Sequence, residues 1–143
     1  MTLRFWAEIR VDATCDAVWA VFADLPGWSG WNTVSPVTPA ALEVGARWTL
    51  ALHARGAERR ARVRVVTCEA GRALAWRGGV PWVLDVVHGF TLRPDGDGCV
   101  ITHHETFVGL LAPLVPRVLG PRHGDMYGAV NARLVEVVVS RRS

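Results

Sequence analysis

The chain has 143 residues, of which half are hydrophobic and 20% are charged, and its formal net charge is +3. This length suits one domain, predicted over residues 1–143. No apolar run approaches the roughly 18 to 20 residues that a membrane-spanning helix needs, and most arginines are scattered, so we expect no membrane span and no nucleic-acid partner.

The first residues and the cysteines bear on the cellular compartment. Residues 1–11 carry three charged side chains among apolar ones, unlike the apolar centre of a secretory signal. Cys15, Cys68 and Cys99 are odd in number, and their spacings match no zinc or redox motif. We therefore expect buried free thiols in a cytoplasmic protein.

The chain begins with a strand and two short helices. Apolar and polar residues alternate from Leu3 to Val11, which is the period-two pattern of a half-buried strand. Thr14 and its neighbours are N-cap candidates for a helix that ends at Pro26-Gly27. A second helical turn is predicted over residues 27–31.

Strand patterns then follow one another as far as Phe107. Glycine or proline turns separate them, and arginines alternate with apolar residues in one of them, where they mark a solvated outer face. The predicted strands are a run before Val44, then Trp48–Leu52, Arg60–Val65, Ala73–Arg77, Trp82–Arg93 and Cys99–Phe107.

The last element is a long helix. After Gly109 the apolar period changes to that of a helix, with one stripe running from Met126 to Val138. Pro113, Pro116 and Pro121 precede this stripe. Because proline interrupts helices, we expect a broken segment before the terminal helix.

This order of elements allows few packings. Sequential antiparallel strands pair with their neighbours, a twisted sheet curls, and the one long helix must cover its apolar concave face. The prediction is an α+β helix-grip fold: a curved seven-stranded antiparallel sheet around a long C-terminal helix, with two short helices between strands 1 and 2. Seven tryptophans require a wide apolar interior, so a ligand cavity between sheet and helix is expected.

Polar residues interrupt the predicted inward faces of the last two strands. His88 lies in an apolar stripe, and His103 and Glu105 share the parity of the bulky residue Phe107. The hairpin sets His88 opposite either His103 or Glu105, depending on its loop length. In the opposite facing of the last strand, His104 and its even-numbered neighbours would be buried instead.

A histidine and a carboxylate in an apolar cavity have two interpretations. Burial raises the pKa of a carboxylate and a nearby imidazolium lowers it, so His88 and Glu105, with His103, are candidates for general acid–base catalysis. Alternatively, the same groups hydrogen-bond each other and stiffen the sheet. A metal site made of these three residues has no supporting motif, and we expect no metal and no cofactor.

Other residues are candidates for ligand contact. Trp28 and Trp31 lie in a glycine-rich loop and could form the mouth or lid of the cavity. On the terminal helix the Tyr127 hydroxyl could bind a ligand, and Asn131 lies one turn further on. The inward-facing residues expected to line the cavity are Trp82, Val86, Phe90 and Phe107.

Short stretches along the whole chain resemble one known family. They are Val11-Asp12-Ala13, Ala17-Val18-Trp19, the run from Asp24 to Asn32, Gly71 to Gly78 with Leu74-Ala75-Trp76, His88-Gly89-Phe90, Glu105 to Gly109, and Asn131 with Leu134. In this order they resemble the START-like superfamily (SRPBCC), in its polyketide cyclase/dehydrase and lipid-transport branch. One departure is Thr33, where many relatives have proline.

The resemblance implies the helix-grip fold, but it leaves the activity open. The first hypothesis is a protein, monomer or homodimer, that binds a small hydrophobic molecule of polyketide, lipid or aromatic type. The second is a cofactor-independent polyketide cyclase/aromatase or dehydratase that uses His88, Glu105 and His103. The third is an interaction module with a closed pocket. Nucleotide-binding, nucleophile-elbow and Cys/His nucleophile motifs are absent from the sequence.

Overall fold

A computed structural model describes residues 1–32, 37–54 and 57–142. Thr33, the departure from the family pattern, lies outside these ranges. The strands are β1 (Thr2–Val11), β2 (Val37–Thr38), β3 (Arg47–Ala54), β4 (Ala57–Glu69), β5 (Ala73–Val80), β6 (Leu84–Asp95) and β7 (Gly98–Val108). The helices are α1 (Cys15–Ala23), α2 (Val115–Leu119) and α3 (Asp125–Ser140), with 3₁₀ turns over Leu25–Gly30 and Ala112–Leu114.

The seven strands form one antiparallel sheet in the order β1-β7-β6-β5-β4-β3-β2. Each strand from β2 to β7 pairs with its neighbour in sequence, and β1 pairs with β7. The long helix α3 packs against β1 and β7. The predicted helix-grip fold is confirmed, including the two short helices after β1 and the broken segment before α3.

Local sequence explains where the first helix starts. The Thr14 hydroxyl accepts a hydrogen bond from the Ala17 backbone N–H at 3.1 Å, which caps α1. The helix buries Val18, Val21 and Phe22. Its face joins a core that also contains residues of the sheet and of α3.

The turn between β6 and β7 sets the register that matters for the site. Asp95 pairs with Gly98, so Gly96 and Asp97 form a two-residue turn, and Gly96 has a φ of 58°. Counting back along both strands places His88 directly opposite Glu105 and Phe90 opposite His103. Of the two predicted pairings, the one with Glu105 is the observed one.

The facing of β7 follows the first of the two predicted parities. His103, Glu105 and Phe107 are buried, whereas the even-numbered Thr102, His104 and Thr106 are only partly buried. The inward side of β7 therefore carries the polar residues that the period-two pattern placed there.

The prediction of three free cysteines is wrong for two of them. Cys15 and Cys99 form a disulfide, and their Cα atoms are 5.1 Å apart. Cys15 is the first residue of α1 and Cys99 the second of β7, so the bond joins helix to sheet across 84 residues. Cys68 is free and partly buried, and burial raises the pKa of its thiol.

Candidate functional site

A cavity of about 330 Å³ lies between the sheet and the segment that leads into α3. Strands β3 to β7 contribute its sheet wall, while α2, His123 and α3 contribute the opposite side. Most of the lining is apolar. The lining residues are Leu50, Ala61, Arg62, Val63, Trp76, Gly78, Gly79, Leu84, Val86, His88, Glu105, Phe107, Leu119, His123 and Met126.

A cluster of buried polar side chains interrupts this apolar lining. His88 on β6 and Glu105 on β7 face each other, and His88 Nδ1 lies 2.7 Å from Glu105 Oε2. The Trp76 ring stacks on the His88 ring, with centroids 4.9 Å apart. The strand register and the Trp76 ring therefore hold both groups at one place in the wall.

The second oxygen of Glu105 is held from the helix side. The Tyr127 hydroxyl donates to Glu105 Oε1 at 2.8 Å. His123 Nε2 lies 2.7 Å from the Tyr127 hydroxyl and 3.3 Å from Glu105 Oε1. Because the Tyr127 proton goes to Glu105, the hydroxyl oxygen accepts the proton on His123 Nε2. In neutral His123 the unprotonated nitrogen is then Nδ1.

His103 lies behind this cluster and forms no part of the cavity lining. Its Nδ1 lies 3.4 Å from the Tyr127 backbone oxygen, and its Nε2 faces His88 Nε2. A carbonyl can only accept, so His103 Nδ1 carries the proton and His103 Nε2 accepts one from His88. A second proton lies between His88 Nδ1 and Glu105 Oε2, where it forms the hydrogen bond between these two side chains.

The electrostatics of the cluster favour an ionised Glu105. Burial by itself raises the pKa of this carboxyl, but hydrogen bonds from His123, His88 and Tyr127, together with the charge of His88, hold the pKa far below its ordinary value. Burial, followed by the carboxylate of Glu105, raises the pKa of Tyr127. Burial, followed by the charge of His88, lowers the pKa of His103. Glu105 is thus an anion and His103 a neutral imidazole at neutral pH.

Four of the predicted site residues line the cavity: His88, Glu105, Val86 and Phe107. Phe90, Tyr127, Asn131 and His103 are buried and are not among the lining residues. Phe90 stacks on the His103 ring, with centroids 4.3 Å apart. Asn131 Nδ2 donates to the Ala7 backbone oxygen at 3.0 Å, so this amide joins α3 to β1.

The predicted positions of three tryptophans are wrong. Trp28 and Trp31 are buried in the aromatic core rather than at a mouth or lid, because the 3₁₀ turn rotates both rings inward against Phe22. Trp82 was assigned to a concave strand face, but β6 begins only at Leu84. Trp82 lies in the preceding turn with a φ of 70°, and 87% of it is exposed.

His123 is the site residue that sequence reasoning missed. In the sequence it stands at the break before the terminal helix, outside any regular pattern. His123 precedes α3, so the helical spacing that places Tyr127 does not extend to it, although their side chains meet at 2.7 Å. The proline-broken segment gives no periodic pattern, so the orientation of His123 depends on how that segment folds back over the sheet.

The sequence profile of one family matches almost the entire chain. Residues 2–139 match the family described as polyketide cyclase / dehydrase and lipid transport. The chain belongs to this family. A comparison with curated protein sequences gives no match.

Several solved structures share the fold of this chain. TTHA0849 from Thermus thermophilus has a TM-score of 0.75 at 15% identity, covering 99% of this chain and 100% of that chain. The Zhui aromatase/cyclase from a Streptomyces species has a TM-score of 0.75 at 16% identity, covering 100% and 97%. A norcoclaurine synthase mutant from Thalictrum flavum has a TM-score of 0.71 at 15% identity, covering 100% and 98%. At these identities the likeness concerns the fold alone.

In the described ranges, no group of three or more His, Cys, Asp or Glu side chains has an arrangement that could hold a metal ion. In the same part of the chain, none of the helices is long and apolar enough to cross a membrane.

Proposed function

We propose that this protein binds a small, largely apolar molecule in the cavity between the sheet and α3. The observation that carries the proposal is an apolar cavity of about 330 Å³ with one polar corner, formed by His88, Glu105 and His123. Ligand sites typically combine apolar walls with a few placed polar groups. A carbonyl or hydroxyl group of the ligand would lie at that corner.

The cavity size favours a compact ligand. Ligand cavities typically measure about 300 to 1,000 Å³, and this one lies near the lower limit. A fused aromatic or short polyketide ring system suits it better than a sterol or a long acyl chain. The membership of the family described as polyketide cyclase / dehydrase and lipid transport supports the same chemical class.

Two valines on β6 provide a matched test of the cavity. Val86 lines it, whereas Val87 is the next residue on β6 and its side chain points to the other face of the sheet. Aromatic polyketides, flavonoids, sterols and fatty acids would be titrated by calorimetry into the wild type, Val86→Trp and Val87→Trp. We expect saturable binding of a compact aromatic ligand, a loss of at least tenfold in affinity in Val86→Trp, and little change in Val87→Trp. Equal affinity in all three proteins would contradict the proposed location.

A second candidate function is acid–base catalysis of a cyclisation or dehydration. The observation that favours it is the hydrogen-bond pattern of His123, whose Nε2 is directed at Tyr127 and Glu105. Its Nδ1 would take a proton from a carbon between two carbonyl groups. The resulting imidazolium, opposite the Glu105 carboxylate, would return that proton to a departing hydroxyl, which leaves as water while a carbon–carbon double bond forms.

This candidate changes the roles predicted from the sequence. His123 would be the base, Glu105 would stabilise its charged form, and His88 would hold Glu105 in place. His103 would act only by accepting a hydrogen bond from His88 and so orienting the His88 ring, because it does not line the cavity.

Turnover of a bound poly-β-ketone separates the two functions. With a ligand identified by calorimetry, product would be followed by chromatography for the wild type, His123→Gln and Glu105→Gln. A catalytic site predicts product with the wild type and a loss of about 100-fold or more in His123→Gln with ligand affinity retained. If all three proteins bind the ligand and the wild type forms no product, the protein binds the ligand without catalysing a reaction.

A further inference from the structure

Two loops next to the cavity form an exposed apolar surface, which we call the apolar platform. It consists of the turn over residues 80–83 and the segment over residues 109–119. Leu110 N donates to the Trp82 oxygen at 3.0 Å, and Leu111 N donates to the Val83 oxygen at 2.9 Å. These backbone bonds join both loops into one surface.

The largest side chains of the platform face solvent. Trp82 is 87% exposed, Leu110 is 82% exposed and Val118 is 73% exposed. Scattered exposed apolar residues are normal on proteins, but a joined group of them marks an interaction site. Because its exposed apolar residues lie on two joined loops, the platform has the character of an interaction site.

The backbone of Trp82 is strained. Its φ of 70° lies in the left-handed region, and Trp82 is the only residue other than glycine with a positive φ in the described part of the chain. A bulky side chain is unfavourable in that region, and such strain concentrates at functional sites. Inside this molecule, the exposed ring gains little packing in return.

The charges on the longer loop of the platform and on the residues that follow it have one sign. Between Glu105 and Asp125 the sequence contains no Asp or Glu, whereas it contains Arg117 and Arg122. Both arginines are exposed. Asp85 on β6 lines a surface pocket together with Trp82 and Leu110, and this carboxylate pairs with Arg77 at 2.8 Å. With Asp85 paired, Arg117 in the platform and Arg122 shortly after it give this part of the chain a positive charge.

We propose that the apolar platform docks onto an anionic lipid bilayer, with Trp82 and Leu110 inserted at the interface and Arg117 and Arg122 against the headgroups. Tryptophan is favoured at membrane–water interfaces, and basic residues beside apolar ones bind anionic lipid surfaces. A second copy of this chain suits the platform less well, because each copy has a net charge of +3 and would bring the same arginines together.

The platform adjoins the proposed ligand cavity. Leu119 belongs to the platform, lines the cavity and is 42% exposed. If the proposed binding function holds, a docked molecule would exchange its apolar ligand with the bilayer past Leu119. This consequence rests on the proposed function, whereas docking itself does not.

Vesicle sedimentation tests the docking. Wild-type protein would be mixed with vesicles of phosphatidylcholine alone and with vesicles that also contain phosphatidylglycerol. The variants are Trp82→Ser with Leu110→Ser, and Arg117→Gln with Arg122→Gln. Trp6→Ser is the matched control, because Trp6 is a 62% exposed tryptophan on β1, outside both loops.

We expect the wild type and Trp6→Ser to bind the anionic vesicles, and each double variant to bind at least about tenfold more weakly. Circular dichroism and ligand affinity would show that the variants are folded. Failure of the wild type to bind, or equal binding by the Trp82 and Leu110 variant, would overturn the proposal. A dimer that the same substitutions dissociate, seen by analytical ultracentrifugation without vesicle binding, would assign the platform to self-association instead.

Discussion

At the scale of single residues, the buried polar cluster forms one hydrogen-bonded chain. It runs from the Tyr127 backbone oxygen through His103 and His88 to Glu105, and the Tyr127 hydroxyl and His123 complete it on the helix side. Each group gains a partner that offsets the cost of its burial. The same arrangement serves stability and, under the second candidate function, proton transfer.

His103 predicts how stability depends on pH. Burial, followed by the charge of His88, lowers its pKa below the ordinary value of 6.5 in the folded state. Below pH 6.5 the unfolded chain therefore binds a proton that the folded chain does not, so the free energy of unfolding falls as pH decreases. For one such group, the slope of the free energy of unfolding against pH approaches about 1.4 kcal/mol per pH unit. Urea unfolding between about pH 7.5 and pH 5 would measure the slope, and His103→Gln should flatten it.

His104 provides a graded comparison on the same strand. Burial also lowers its pKa, but its side chain is only partly buried. His104→Gln should therefore flatten the slope less than His103→Gln does. An unchanged slope in His103→Gln would contradict the assignment. Below pH 4.5 a further loss is expected, because Glu105 has a lowered pKa and stabilises the folded state only while ionised.

At the scale of elements, short irregular segments place the largest side chains. The 3₁₀ turn over Leu25–Gly30 buries Trp28, whose Nε1 donates to the Phe22 oxygen at 2.8 Å. Trp31 packs beside it, with ring centroids 4.7 Å apart. The glycines and proline of this segment thus serve to turn two aromatic rings into the core.

Trp28→Ala tests whether this tryptophan belongs to the core or to a mouth. A core tryptophan predicts a loss of about 3 to 5 kcal/mol in the free energy of unfolding, measured with urea, because the cavity left behind does not refill. The control Trp6→Ala, at an exposed tryptophan, should change the free energy of unfolding by less than about 0.5 kcal/mol. Ligand affinity of the folded fraction should persist in both variants. A stable Trp28→Ala that no longer binds ligand would indicate a role at the mouth.

At the scale of the whole molecule, one core connects nearly all elements. A single cluster of buried residues includes α1, the 3₁₀ turn over Leu25–Gly30, strands from β1 to β7, and α3. A smaller cluster around Phe107 and Val115 packs below the segment before α3. The pairing of β1 with β7 and the Cys15–Cys99 disulfide join the beginning of the chain to its last strand.

This connectivity predicts that residues 1–143 unfold as one domain. Tryptophan fluorescence reports mainly on the core, whereas far-ultraviolet circular dichroism reports on all strands and helices. In urea both signals should follow one transition with the same midpoint and the same slope. Separate midpoints would show that part of the chain, such as the segment before α3, unfolds on its own.

The amino-acid sequence by itself determined the faces and the order of the regular elements. Alternation along β6 placed His88 on the inward face and left two facings open for β7, of which the one with His103 and Glu105 inward is observed, and the short turn after Asp95 restricted the pairing to two registers. These predictions succeeded because side-chain direction in a strand depends only on the backbone period. For the same reason the stripe along α3 indicated which side of the helix packs against the sheet.

Tertiary structure alone decided the positions of residues outside regular elements. No period constrains Trp28, Trp31 and Trp82 in their turns, or His123 after the prolines, and their directions depend on how each segment packs on the sheet. The pairing of Cys15 with Cys99 likewise requires α1 to lie beside β7, a contact across 84 residues. Local sequence patterns carry no information on such contacts, so the polar cluster was predicted from its strands and completed only by the fold.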